Sequence, residues 1–148
     1  LPAYEISNHA RRGAAGRHNL SYWRFGDCAG IGPGAHGRRG GLATLRHKKP
    51  ENWIGAVTRN GHGLQGEETL ESAERAREAL VMGLRLAEGV DLGRIATRTA
   101  TAANALIDPR AEQALSDYGL VVREGDRLTV TPAGMPLLDR ILAELVAI

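Results

Sequence analysis

Leu120-Val121-Val122-Arg123-Glu124-Gly125-Asp126-Arg127-Leu128-Thr129-Val130 decides the fold class. Two short runs rich in β-branched and aliphatic residues flank Glu-Gly-Asp, the composition of a β-hairpin. Helical patterns lie on either side. Upstream, Asp108-Pro109 opens a helix, since proline is well tolerated at the first helical position. Ala111, Ala114, Leu115 and Tyr118 form the predicted inner face of that helix, and Gly119 ends it. Downstream, Thr131-Pro132 leads a final helix with Leu138, Ile141, Leu142 and Leu145 along one side. Strands set among helices make the class α+β.

Further upstream, Leu70, Ala73, Ala76, Leu80 and Leu84 recur at three- and four-residue spacing, which marks an amphipathic helix. Thr69 is its predicted N-cap and Gly89 its stop. Asp91 caps a short helix over 92–97. Three helices, a hairpin and a closing helix predict a winged-helix-like module over residues 67–148.

Residues 1–66 lack sustained helical periodicity. Tyr4-Glu5-Ile6 and residues 28–32 are short strand candidates, and residues 38–41 form a turn leading into a strand over 42–46. Pro50 begins a short helix through Val57, and Gly61, Gly63 and Gly66 read as a linker. Such a segment stabilises poorly by itself. It is expected to be the closing strands and loops of a sheet whose other strands lie elsewhere, with the domain boundary at 66/67.

The charge divides at the same place. The 148 residues carry a net +2, but residues 1–66 hold +7 and residues 67–148 hold −5. All five histidines and thirteen of the nineteen glycines also fall in the first part. Such asymmetry implies two functional regions and an anionic partner for the first. DNA, the usual ligand of a winged helix, is disfavoured on charge: helix 108–118 carries Asp108, Glu112 and Asp117 against Arg110. No apolar run reaches membrane-spanning length and no signal peptide is evident. A lone cysteine, Cys28, forms no internal disulfide, which fits a reducing cytoplasm.

Chemistry concentrates in residues 18–36, His-Asn-Leu-Ser-Tyr-Trp-Arg-Phe-Gly-Asp-Cys-Ala-Gly-Ile-Gly-Pro-Gly-Ala-His. An imidazole, an amide and two aromatic rings occupy six positions, and a glycine-dense loop ending in a second histidine follows. The loop, Gly30-x-Gly32-x-Gly34-x-x-Gly37, is not a dinucleotide fingerprint, because Arg38-Arg39-Gly40-Gly41 cannot open the helix that motif needs. On the residues alone, His18 and Asn19 either face a ligand or tie down loop backbone. His36 is a second ligand, a proton carrier or a structural histidine. The glycines bring bare backbone to a ligand or mark a strand end.

Tyr4-Glu5-Ile6-Ser7-Asn8, His18-Asn19-Leu20-Ser21-Tyr22-Trp23 and Gly30-Ile31-Gly32-Pro33-Gly34-Ala35-His36 together resemble the C-terminal part of radical SAM proteins related to oxygen-independent coproporphyrinogen III oxidase. The haem-chaperone branch, marked by His-Asn-x-x-Tyr-Trp, is matched best. The resemblance implies the last strands of a partial radical SAM barrel, and haem binding at His18, Asn19, Tyr22 and Trp23 with His18 as iron ligand. Arg17 and Arg24 flank the motif and are candidates for haem propionates. Gly30, Gly32, Gly34 and His36 would lie near the SAM and substrate region.

The family holds a [4Fe–4S] cluster through Cys-x-x-x-Cys-x-x-Cys. This chain has one cysteine and opens on Leu1-Pro2-Ala3, so the cluster and SAM are expected in another part of a longer protein, and this piece is expected to be inactive alone. Two functions follow from the resemblance: delivery of haem to acceptor proteins, or a share in oxidative decarboxylation of a porphyrinogen. A winged-helix nucleic-acid module ranks behind both.

Overall fold

The computed structural model describes residues 1–148 and divides into two compact units, Leu1–Phe25 with Ser72–Ile148, and Gly26–Glu71. The split differs from the boundary expected at 66/67: the first 25 residues join the C-terminal part. Hydrogen bonding supplies the reason. Strand β1 (Ala3–Glu5) pairs with β2 (Asn8–His9) on one edge. On its other edge the Ile6 N–H donates to the Arg85 carbonyl at 3.1 Å and the Ala87 N–H donates to the Tyr4 carbonyl at 3.0 Å. A composition-based boundary cannot register a pairing between segments eighty residues apart.

In the larger unit, helix α1 (Arg17–Trp23) follows the β1–β2 hairpin. Seven residues are too few for a periodicity signal, so the sequence pattern does not predict this helix. It ends where Phe25 turns left-handed, φ 55°. That conformation is costly for an aromatic residue. The ring is buried in the core, and Arg98 holds the Phe25 carbonyl at 3.0 Å.

Helix α3 (Ser72–Gly83) places Ala76, Ala79, Leu80 and Met82 in the core. It starts three residues after the expected cap, because Thr69 ends a strand of the other unit. Strand β6 (Val90–Asp91) leads directly into α4 (Leu92–Thr99), where the Asp91 carboxylate accepts the Arg94 N–H at 2.8 Å. Helix α5 (Pro109–Asp117) is capped by Asp108, which accepts the Arg110 and Ala111 N–H groups. Both caps satisfy otherwise unpaired first-turn donors.

The hairpin forms as its sequence indicates. Strands β7 (Val121–Glu124) and β8 (Arg127–Val130) pair from Val121↔Val130 to Glu124↔Arg127. The two-residue loop carries Gly125 at φ 62°, the position where a type II′ turn requires glycine. The sheet order is β6-β8-β7, antiparallel throughout. Helix α6 (Leu138–Leu145) closes the core with Leu138, Ile141, Leu142 and Leu145. Three expected inner-face residues lie outside: Ala73 of α3 and Ala114 of α5 are exposed, and Tyr118 is 79% exposed, while Leu115 carries the inner face of α5.

The smaller unit is a three-stranded antiparallel sheet of β3 (His36–Arg39), β4 (Leu42–Arg46) and β5 (Leu64–Thr69), in that order. Gly40 and Gly41, both at positive φ, turn β3 into β4. Helix α2 (Pro50–Asn60) connects β4 to β5 and runs three residues beyond its expected end, to a left-handed cap at Gly61. The stretch expected as a linker is structured. Gly63 lies against the Trp53 ring, where a Cβ would come within 2.2 Å, and Gly66 pairs with Leu45. Residues 28–32 form no strand; Cys28 makes an isolated bridge to Arg38.

Gly89 and Gly125 separate two costs of a side chain. Both are left-handed, but a Cβ at Gly89 would meet the Leu128 carbonyl oxygen at 2.1 Å, whereas Gly125 faces open space. Gly125→Ala should cost about 1 kcal/mol from backbone strain alone, and Gly89→Ala at least ~3 kcal/mol, as measured by urea unfolding.

Candidate functional site

Four residues of the His-Asn-x-x-Tyr-Trp motif occupy α1. The Asn19 amide donates to the Tyr4 hydroxyl at 3.2 Å, tying the helix to β1. Tyr22 and Trp23 meet edge to face, with ring centroids 5.1 Å apart and planes at 72°. The Arg85 guanidinium sits 5.5 Å from the Trp23 ring centroid, a cation–π contact. His18 and Tyr22 are exposed, while Asn19 and Trp23 are half-buried.

His18, Asn19, Tyr22 and Trp23 line one cavity of about 350 Å³, together with Glu5, Ser7 and Asn8. Glu5 is only 2% exposed. Its carboxylate accepts the Ser7 N–H at 3.2 Å and the Asn8 amide. Burial of a carboxylate is costly without such donors. The sequence pattern gives Glu5 and Asn8 no individual role; Tyr4–Asn8 is legible only as a motif. Nothing local marks a glutamate in a three-residue strand as buried, since burial comes from the segment packed beside it.

The flanking arginines differ. Arg17 is exposed on α1 and its side chain makes no hydrogen bond. Arg24, expected to face an anionic ligand, is instead engaged in a two-pronged pair with Glu88, Nε to Oε1 at 2.7 Å and the second prong at 2.8 Å. The guanidinium fork matches the carboxylate geometry. This hydrogen bonding holds the Glu88 carboxyl below the ordinary carboxylate range, against partial burial, and the charges of Arg127 and Arg94 add to it.

The glycine loop and His36 fall in the smaller unit, and His18 in the larger. Gly30 approaches its own chain: a Cβ there would lie 2.6 Å from the His36 carbonyl oxygen. Its carbonyl accepts from Arg46 Nε. The Gly34 N–H donates to the His47 carbonyl at 2.8 Å, whereas Gly32, at φ 91°, borders open space beside the exposed Ile31. His36 is exposed on β3, opposite Leu45. No group of three or more His, Cys, Asp or Glu side chains is gathered as metal ligands, and no helix is long and apolar enough to cross a membrane.

A family model described as the HemN C-terminal domain matches residues 70–137. The chain is 34% identical over 142 residues to the protein named heme chaperone HemW of Mycobacterium tuberculosis, covering 96% of this chain and 34% of that protein. It is 45% identical over 95 residues to the mouse protein named radical S-adenosyl methionine domain-containing protein 1, mitochondrial, covering 59% of this chain and 22% of that one. This chain therefore spans about a fifth to a third of the length of these relatives. Its fold matches that of Escherichia coli coproporphyrinogen III oxidase, HemN, described as a radical SAM enzyme. The TM-score is 0.60 at 21% identity, over 80% of this chain and 28% of that one.

The Arg24–Glu88 pair joins the end of α1 to the residues before β6, and its contribution has a definite pH dependence. Glu88 titrates lower folded than unfolded, so the stabilisation is fully present above the ordinary carboxylate range near pH ~4.3 and fades as pH falls through the folded value. Both partners are about half exposed, so Glu88→Gln should cost under ~1 kcal/mol at pH 7. Thermal melts of the two proteins should converge as pH falls through the folded Glu88 value.

Proposed function

We propose that this chain, which carries a HemN C-terminal domain and is homologous to HemW proteins along nearly its whole length, is the part of a HemW-type radical SAM protein that takes up haem and passes it to acceptor proteins. One observation carries the reading. The complete His18-Asn19-x-x-Tyr22-Trp23 motif lies on a single helix and lines a single cavity. An imidazole in its neutral form is a good axial ligand for haem iron. Exposed His18 is the residue assigned to that role, with the Tyr22 and Trp23 rings beside the porphyrin face. Arg17 is the motif's remaining cation for a propionate, since Arg24 is held by Glu88. Asn19, through Tyr4, positions the helix.

The family implies SAM and a [4Fe–4S] cluster in full-length relatives. The residues of this chain do not fit that cluster, which needs three thiolates where only Cys28 is present. Both groups are therefore assigned to other parts of the protein, and no chemistry here is routed through them. Gly30, Gly32, Gly34 and His36 are placed in the same reading on the side of the smaller unit that faces the radical SAM part. On the edge opposite β3, β5 forms an outer strand with mostly exposed residues, the form of a sheet still open to further strands there.

Residues 72–130 run helix, strand, two helices and hairpin, which supports a winged-helix-like module. Its role is taken as covering the porphyrin or meeting the acceptor rather than binding nucleic acid. The lone cysteine supports a reducing, cytoplasmic setting. The alternative function is a share in coproporphyrinogen III oxidation; the likeness to that enzyme's structure is one of fold.

Hemin titration followed by absorbance tests the reading. The wild-type chain should give a saturable Soret shift that His18→Ala abolishes and His36→Ala retains. Equal shifts in wild type and His18→Ala remove His18 from the iron. No shift in any of them rejects haem uptake by this chain and favours the oxidase reading.

A further inference from the structure

A second cavity, of about 370 Å³, lies in the larger unit between the end of α1, the residues around β6, and α4. Four arginines line it, Arg24, Arg94, Arg98 and Arg127, against two carboxylates, Glu88 and Asp91. Most of these groups have structural partners. Arg24 holds Glu88. Arg98 donates to the Arg24 and Phe25 carbonyls at 3.4 and 3.0 Å. Arg127 donates one N–H to the Glu88 carbonyl at 3.0 Å, and Asp91 caps α4.

The remainder is positive. The Arg94 side chain makes no hydrogen bond, and Arg127 keeps the rest of its fork. Both arginines line the same cavity as the Glu88 carboxyl. Surplus cations gathered around one half-exposed carboxylate repel each other unless an anion or solvent screens them. Their planar forks match the oxygens of a phosphate or carboxylate.

We propose that this cavity binds a small oxyanion carrying two or more negative charges, a phosphate ester or a polycarboxylate, between Arg94 and Arg127 beside the Arg24–Glu88 pair. Glu88 acts as a built-in competitor: its carboxylate already uses the Arg24 fork that an incoming anion could share. The cavity shares Trp23 with the α1 face taken for haem, but Arg94 and Arg127 lie outside that face, and the proposal does not depend on that reading.

Calorimetric titration of the full chain with pyrophosphate at low ionic strength, hemin absent, tests it. Saturable binding is expected, weakened about tenfold or more in Arg94→Gln and in Arg127→Gln. Glu88→Gln should bind more tightly. Arg140→Gln, which alters an exposed arginine paired with Glu144 on α6, should bind as wild type. Arg94 holds no structural hydrogen bond, so its variant remains informative should Arg127→Gln fail to fold. A parallel titration with succinate separates the two sources: the tighter anion identifies the ligand as phosphate or carboxylate. Absence of saturable binding to both anions, or unchanged affinity in Arg94→Gln, overturns the proposal.

Discussion

The larger unit depends on β1 being hydrogen-bonded on both edges. Its outer pairing to residues 85–87 brings the first 25 residues onto a core otherwise built from residues 72–148. With that pairing in place, α1 can set Trp23 against Arg85 and Phe25 into the core. The same contact buries Glu5, and a buried carboxylate then requires the Ser7 and Asn8 donors. One short ladder thus fixes both the helix that carries the motif and the floor of the cavity it lines.

The arginines show how a fold redistributes charge that a sequence only counts. The first 66 residues hold an excess of +7, yet Arg24 is matched by Glu88 from the acidic half. Conversely, Arg94 and Arg127 belong to a half with a net charge of −5 and still meet as surplus cations. Coulomb energy depends on separation in space, with screening over roughly 10 Å, so a running charge balance along the chain is a poor guide to a local field.

Legibility followed the range of the interactions involved. The β7–β8 hairpin, the Asp91 and Asp108 caps and the inner face of α6 were readable, because turn chemistry, capping and periodicity act within a few residues. Tyr118 misled because it continues the apolar spacing of α5 just where that helix ends, so its ring leaves the core. Gly61, Gly63 and Gly66 have the composition of a linker, but one caps α2, one makes room for Trp53 and one sits in β5. Composition alone does not distinguish a glycine needed for flexibility from one needed for close packing.

For the candidate site, the sequence by itself determined the identities of the motif residues and their order, and through them the resemblance to radical SAM proteins. It also determined the α+β class, since alternation of hairpin and helix signals is local. Only the tertiary structure decided that the motif is helical, that Glu5 and Asn8 join it, and that Arg24 is occupied. The physical reason is the same in each case: these outcomes rest on contacts between residues far apart in the chain, which no local propensity encodes.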